Sequence, residues 1–165
     1  MAITTTDIKY RLSGGSGNSD PLLSLGGVKS STEVSSTLFD DISSGESATG
    51  EDEYRCIYIH NNHGSLTMES TKMWIQSNTP SPDTTVAIGA GTSDINGTEQ
   101  TVGSEGTAPS GVTFSSPSSE GTAISLGNIP YGQHKAVWVR RTVSEGASAY
   151  NSDSFTLRVK CDTAA

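Results

Sequence analysis

The chain has 165 residues, enough for one β or mixed domain but short for two independent cores. Hydrophobic residues make up 32% and charged residues 17%, while Ser and Thr are the commonest types beside 18 glycines, a composition that points to long polar loops around a modest core. The net charge is −8 and no basic run exceeds Arg140-Arg141, which excludes a basic face for nucleic acid and leaves the excess acid for solubility or a basic partner surface.

The N-terminal residues lack the charged and apolar regions of a secretion signal, and no apolar run approaches a bilayer-spanning length, so the expected product is made in the cytoplasm. Ile8-Lys9-Tyr10-Arg11-Leu12 alternates as a short edge strand and runs into Ser13-Gly14-Gly15-Ser16-Gly17-Asn18-Ser19. Residues 1–20 therefore read as a flexible arm with a short edge strand, and 21–165 as a single β-sandwich domain. Residues 21–52 scatter Leu22, Leu23, Val28, Val34, Leu38, Phe39 and Ile42 among Gly and Ser, with weak strand spacing and acidic patches at Asp40-Asp41 and Glu51-Asp52-Glu53.

The pattern sharpens over 53–60, where β-branched and aromatic residues predict a strand ended by the turn Asn61-Asn62-His63-Gly64. A second strand spans 66–76. Its apolar set shifts from even positions, Leu66 and Met68, to odd ones, Met73 and Ile75, which requires a bulge near Ser70. Further strands are expected at 84–89, 112–114, 123–126, 133–143 and 155–161, with an Asn96-Gly97 turn, a corner over 126–132 and a long loop over 144–153. Eight or nine strands and no helical periodicity predict an all-β antiparallel β-sandwich, jelly-roll or Ig-like, with long loops.

Candidate chemistry is sparse. His60 and His63 are three apart and could share a metal, but no third ligand is fixed by spacing and the segment also reads as a hairpin turn. His134 has no nucleophile elbow beside it, and Asp94 to Glu99 departs from a calcium loop. Asp40-Asp41 and Glu51-Asp52-Glu53 read as solvated loop carboxylates. Cys56 and Cys161 read as buried free thiols or as one bridge between neighbouring strands. No catalytic residue, cofactor or metal is expected. Trp74 and Trp138 could form a sugar-stacking platform, although Trp138 between Val137 and Val139 reads better as core or interface. Arg140 and Arg141 point to opposite faces of one strand, so one guanidinium must meet the buried side, the rim or a partner.

The segments Tyr54-Arg55-Cys56-Ile57-Tyr58-Ile59-His60-Asn61 and Leu126 to Arg141 resemble small structural proteins of tailed bacteriophages. The start, Met1 to Gly15, and Gly106-Thr107-Ala108-Pro109-Ser110-Gly111-Val112-Thr113-Phe114 share that character. The resemblance implies a virion component: a capsid decoration (cement) protein on the outside of the major capsid shell, stabilising it, as a homo-oligomer with a trimer favoured. It carries over no catalytic residues. The major capsid protein or other virion proteins are then the expected partners, with no nucleic acid and no membrane. The strands bearing Tyr54, Tyr58, Trp138, Arg140 and Arg141 are the expected interface, and the N-terminal arm is expected to reach a neighbouring subunit. A neck, tail or fibre-associated virion protein is the alternative, and a carbohydrate-binding β-sandwich module the second.

Overall fold

In the computed structural model, which describes residues 2–163, the chain forms nine strands and one short helix. In chain order these are β1 (Ile8–Leu12), β2 (Gly26–Gly27), α1 (Ser44–Thr49), β3 (Glu51–Asn61), β4 (Met68–Ser77), β5 (Thr84–Ala90), β6 (Glu99–Thr101), β7 (Ile124–Ile129), β8 (His134–Val143) and β9 (Thr156–Thr163). All recorded strand pairings are antiparallel, and the main sheets order as β1-β3-β8-β5 and β7-β4-β9. The expected antiparallel β-sandwich is the observed fold. Among the described residues no helix is long and apolar enough to cross a membrane.

Two consecutive-strand arms, β3–β4 and β7–β8, lie against each other across both layers. β3 pairs with β8 in one sheet and β4 with β7 in the other. That nesting makes the β3–β4 and β7–β8 connections both cross from one sheet to the other.

β3 and β8 are near-continuous apolar runs because the sheet they share is covered on both faces. On one face Ile57, Ile59, Val137, Val139, Val86 and Ile88 pack against Met68, Met73 and Ile75 of the second sheet. On the other, Tyr54, Cys56, Tyr58, Ala136 and Trp138 pack under Leu25, Val102, Val112 and Phe114. This outer cover is a two-stranded sheet, β2-β6, with the loops around it. Gly26 must be glycine there: its φ is +98° and a Cβ would strike the Gln100 carbonyl. The Tyr58 hydroxyl pins the cover, donating to the Gly27 carbonyl at 2.6 Å and accepting from Glu99 N–H at 2.9 Å.

The expected bulge in the second long strand is present. Ser70 has φ +49°, the register of β4 shifts between Met68 and Thr71, and Asn128 Oδ1 accepts the freed Ser70 N–H at 2.9 Å. Asn96 takes φ +60° in the expected Asn-Gly turn. Residues 112–114 form no strand; only Ser115 makes an isolated bridge, to Ile88, where it shields the outer edge of β5. A helix at 44–49 was not expected. Ser43 caps it, accepting from Glu46 N–H, and Gly50 ends it.

The expected flexible arm needs correction. Met1 lies outside the described residues, but β1 pairs with β3 from Ile8 to Leu12, and its other edge is bonded to residues 30–34. Ser13 is fully buried, donating to the Cys56 carbonyl at 2.7 Å and accepting from Gly26 N–H at 3.1 Å. Gly15 N–H reaches the Val28 carbonyl, and Asn18 Nδ2 reaches the Ser13 carbonyl. The Gly/Ser run is a hydrogen-bonded loop of the domain, because short polar side chains satisfy its backbone where a flexible linker would use water.

Candidate functional site

Alternation along β3 and β8 places Glu53, Arg55 and Arg141 on the inter-sheet face, at the end where the apolar core stops. Glu53 and Arg55 are fully buried and Arg141 nearly so. Arg141 Nε donates to Glu53, and its Nη1 donates to the Asp40 carbonyl at 2.8 Å. Arg55 donates to Glu105 and lies 3.5 Å from the Asp40 carboxylate. Phe39 is packed by both guanidinium groups, 5.3 Å from Arg55 and 4.9 Å from Arg141. Burial pushes the Glu53 carboxyl up, against the lowering pull of Arg141.

Carboxylate oxygens of Asp40, Glu53 and Glu105 lie within 4.8 Å of one another, a spacing that a divalent cation could bridge. The two guanidinium groups already sit among them, leaving three carboxylates opposed by two fixed cations. This is an ionic clasp that fastens the segment around Phe39 and the Glu105 loop to the end of the sandwich.

Beside the clasp lies a cavity of about 830 Å3, between the segment 34–44 and the loop 147–157. Its floor includes Phe39 and Arg141 from the clasp, and its walls include Tyr150, Phe155, Asp41 and many Ser and Thr hydroxyls. Phe39 and Phe155 stack tilted at 6.2 Å, and Tyr150 is half-exposed. Asp153 is engaged with Ser81 N–H and the Thr84 hydroxyl, and Asp83 accepts from Ser148 N–H at 2.9 Å. Asp41 is exposed and has no hydrogen bond or ion pair among the described residues.

The expected interface residues go elsewhere. Tyr54, Tyr58 and Trp138 are interior side chains of the outer cluster, 6%, 0% and 0% exposed, so as a docking surface they are a correction: they hold the β2-β6 cover. Arg141 is in the clasp, and Arg140 lies half-buried over the Phe114 ring at 5.3 Å. Trp74 is also buried, so no exposed tryptophan platform exists. Cys56 and Cys161 are both free thiols and stand in different sheets.

His63 does not turn toward a metal: its Nδ1 accepts from Ser65 and Leu66 N–H groups and closes the hairpin. His60 instead faces His134 across β3 and β8, ring centroids 6.5 Å apart. Burial lowers the pKa of His60 to about 4, aided by Lys29 and Arg11; burial lowers that of His134 too. For Glu99, burial is outweighed by hydrogen bonds from Ser93 and Thr92, which hold the carboxyl down near 2. That carboxylate is spent on its own loop, which explains the poor fit to a calcium loop.

The clasp and cavity have no simple sequence signature, because their parts come from segments around 40, 53, 105, 141 and 150. The one available hint is that Arg140 and Arg141 point to opposite faces of one strand, so one of them must meet the buried side, the rim or a partner. Fold and site define an all-β antiparallel sandwich with an end cavity. Compared with known proteins, the chain matches no family model, no curated protein and no solved structure.

Proposed function

We propose that the protein is a virion structural protein of the capsid decoration type, which coats the outside of a phage major capsid shell and stabilises it as a homo-oligomer, a trimer being favoured. The observation that carries this reading is a set of exposed apolar side chains, Leu22, Leu23 and Val28, at 40%, 58% and 50% exposure. They are presented by the folded N-terminal loop: Gly14 approaches the Leu23 carbonyl, and Gly15 N–H bonds the Val28 carbonyl. Clustered exposed aliphatics on a small polar protein mark an adhesive surface. Since each is already about half covered, burying the remainder against a partner is worth about 1 kcal/mol apiece. The antiparallel β-sandwich supports the reading by analogy of fold alone. A neck or tail location would use the same surface.

The test is the oligomeric mass of the purified protein together with its co-sedimentation with empty phage heads. A trimer that coats heads, and loses coating in Leu23→Asp and Val28→Asp while keeping its thermal melt, is the expected result. A monomer that ignores heads, or coating untouched by both substitutions, overturns the proposal.

A further inference from the structure

We propose that the end cavity is a saccharide-binding site that takes a neutral hexose-sized ring, independent of the adhesive surface around Leu23. Its volume, about 830 Å3, falls within the range of small-ligand sites. The chemistry of its lining selects the ligand. Charge comes first: Asp40, Asp41 and Asp153 line the space with a single cation, Arg141, whose Nε and Nη1 donate to Glu53 and the Asp40 carbonyl while its Nη2 has no hydrogen-bond partner. The lining is net acidic, and an anionic ligand is disfavoured.

Polarity comes second. The lining combines Ser and Thr hydroxyls with the rings of Phe39, half-exposed Tyr150 and half-buried Phe155. A pyranose has one face of C–H groups that packs on an aromatic ring and a belt of hydroxyls that both donate and accept. The Asp41 carboxylate, unengaged at the rim, accepts hydrogen bonds from sugar hydroxyls.

A basic peptide would also suit an acidic cavity. It would need main-chain partners, and at 147–148 these are taken: Ala147 N–H is bonded to the Ser47 and Ser144 carbonyls, and Ser148 N–H to Asp83.

The probes are D-glucose, D-galactose, D-mannose and N-acetyl-D-glucosamine, each titrated to about 50 mM against the 15N-labelled full chain, since a single ring held by one stack and a few hydrogen bonds binds in the millimolar range. Expected is a saturable set of amide shifts, with at least one of these sugars, confined to residues 34–44 and 147–157. Tyr150→Ala and Asp41→Asn should each weaken that binding about tenfold while leaving the rest of the spectrum and the thermal melt unchanged.

No saturable shift with any of the four sugars overturns the inference. So does binding that both substitutions leave intact, or saturation of the same amides by trilysine but by no sugar, which would make the cavity a basic-peptide site. The Leu23→Asp protein should keep its sugar response and the Tyr150→Ala protein its head binding, so this inference and the decoration reading fail separately.

Discussion

Arg55 and Arg141 press their guanidinium groups against one ring, that of Phe39, while each is bound to a different carboxylate. Like charges brought this close inside a sandwich are tolerated only because Glu53, Glu105 and Asp40 surround them. Removing one member therefore does more than delete a contact. Arg141→Met leaves Glu53 fully buried without its cation, and the expected loss is about 3–5 kcal/mol in urea unfolding. The double substitution Arg141→Met with Glu53→Met should recover most of that loss, since it removes the orphaned charge as well. A single variant within about 1 kcal/mol of the wild type would mean the clasp is solvated and weak.

The facing imidazoles of His60 and His134 predict acid sensitivity. An unfolded His60 takes a proton near its ordinary 6.5, whereas burial holds the folded group down to about 4, with Lys29, Arg11 and His134 adding repulsion and Tyr58 packed against His134. The unfolded state thus binds more protons between those values. The stability is fully present above pH 6.5 and is lost as pH falls toward 4. Because the ring is half-buried, solvent screening limits the effect to about 1 kcal/mol. Melting temperatures at pH 7, 5.5 and 4.5 should fall, with a shallower slope in His60→Asn; equal slopes would remove His60 as the cause.

Much of this architecture is legible in the sequence, and the reasons can be given residue by residue. β3 and β8 announce themselves because burial on both faces demands dense β-branched and aromatic runs, and the change from even to odd spacing after Met68 forces the bulge at Ser70. What the pattern does not carry is which layer covers which face. Tyr54, Tyr58 and Trp138 look like material for an interface until β2 and β6, two and three residues long, are folded over them. Strands that short have no period to read. The clasp is hidden for another reason: four separate segments supply it, and the charges of Asp40 and Glu105 sit in loops that resemble solvated ones.

Cys56 and Cys161 should differ in reactivity although both are free. Burial drives the Cys56 thiol far above its ordinary range, and it stands opposite Trp138 with no exposed surface. Cys161, on the edge strand β9, is half-buried and its thiol is raised by burial and by Asp162. A disulfide-exchange reagent at pH 8 should label one thiol slowly in the native protein and the second only on unfolding. Cys161→Ser should abolish the native reaction. Two equally fast thiols would mean that the β2-β6 cover opens readily.

Ser13 decides whether the N-terminal segment belongs to the domain. Its hydroxyl joins three pieces of chain, donating to Cys56 of β3 and accepting from Gly26 of β2, while its own N–H reaches Ser24 Oγ at 3.1 Å. Ser13→Ala removes that donor and acceptor from a site with no access to water, leaving the Cys56 carbonyl without this partner. The expected cost is about 1–3 kcal/mol, with faster proteolytic cleavage in the 14–30 loop. Deleting residues 1–12 goes further, because it strips β1 from the flank of β3 and exposes the core side of Ile57 and Ile59. That shortened chain should lose cooperative unfolding, and its failure to coat heads would then reflect a lost fold and not a lost arm. If it melts like the full chain, the segment is dispensable to the domain, and a free arm becomes the better description of its role.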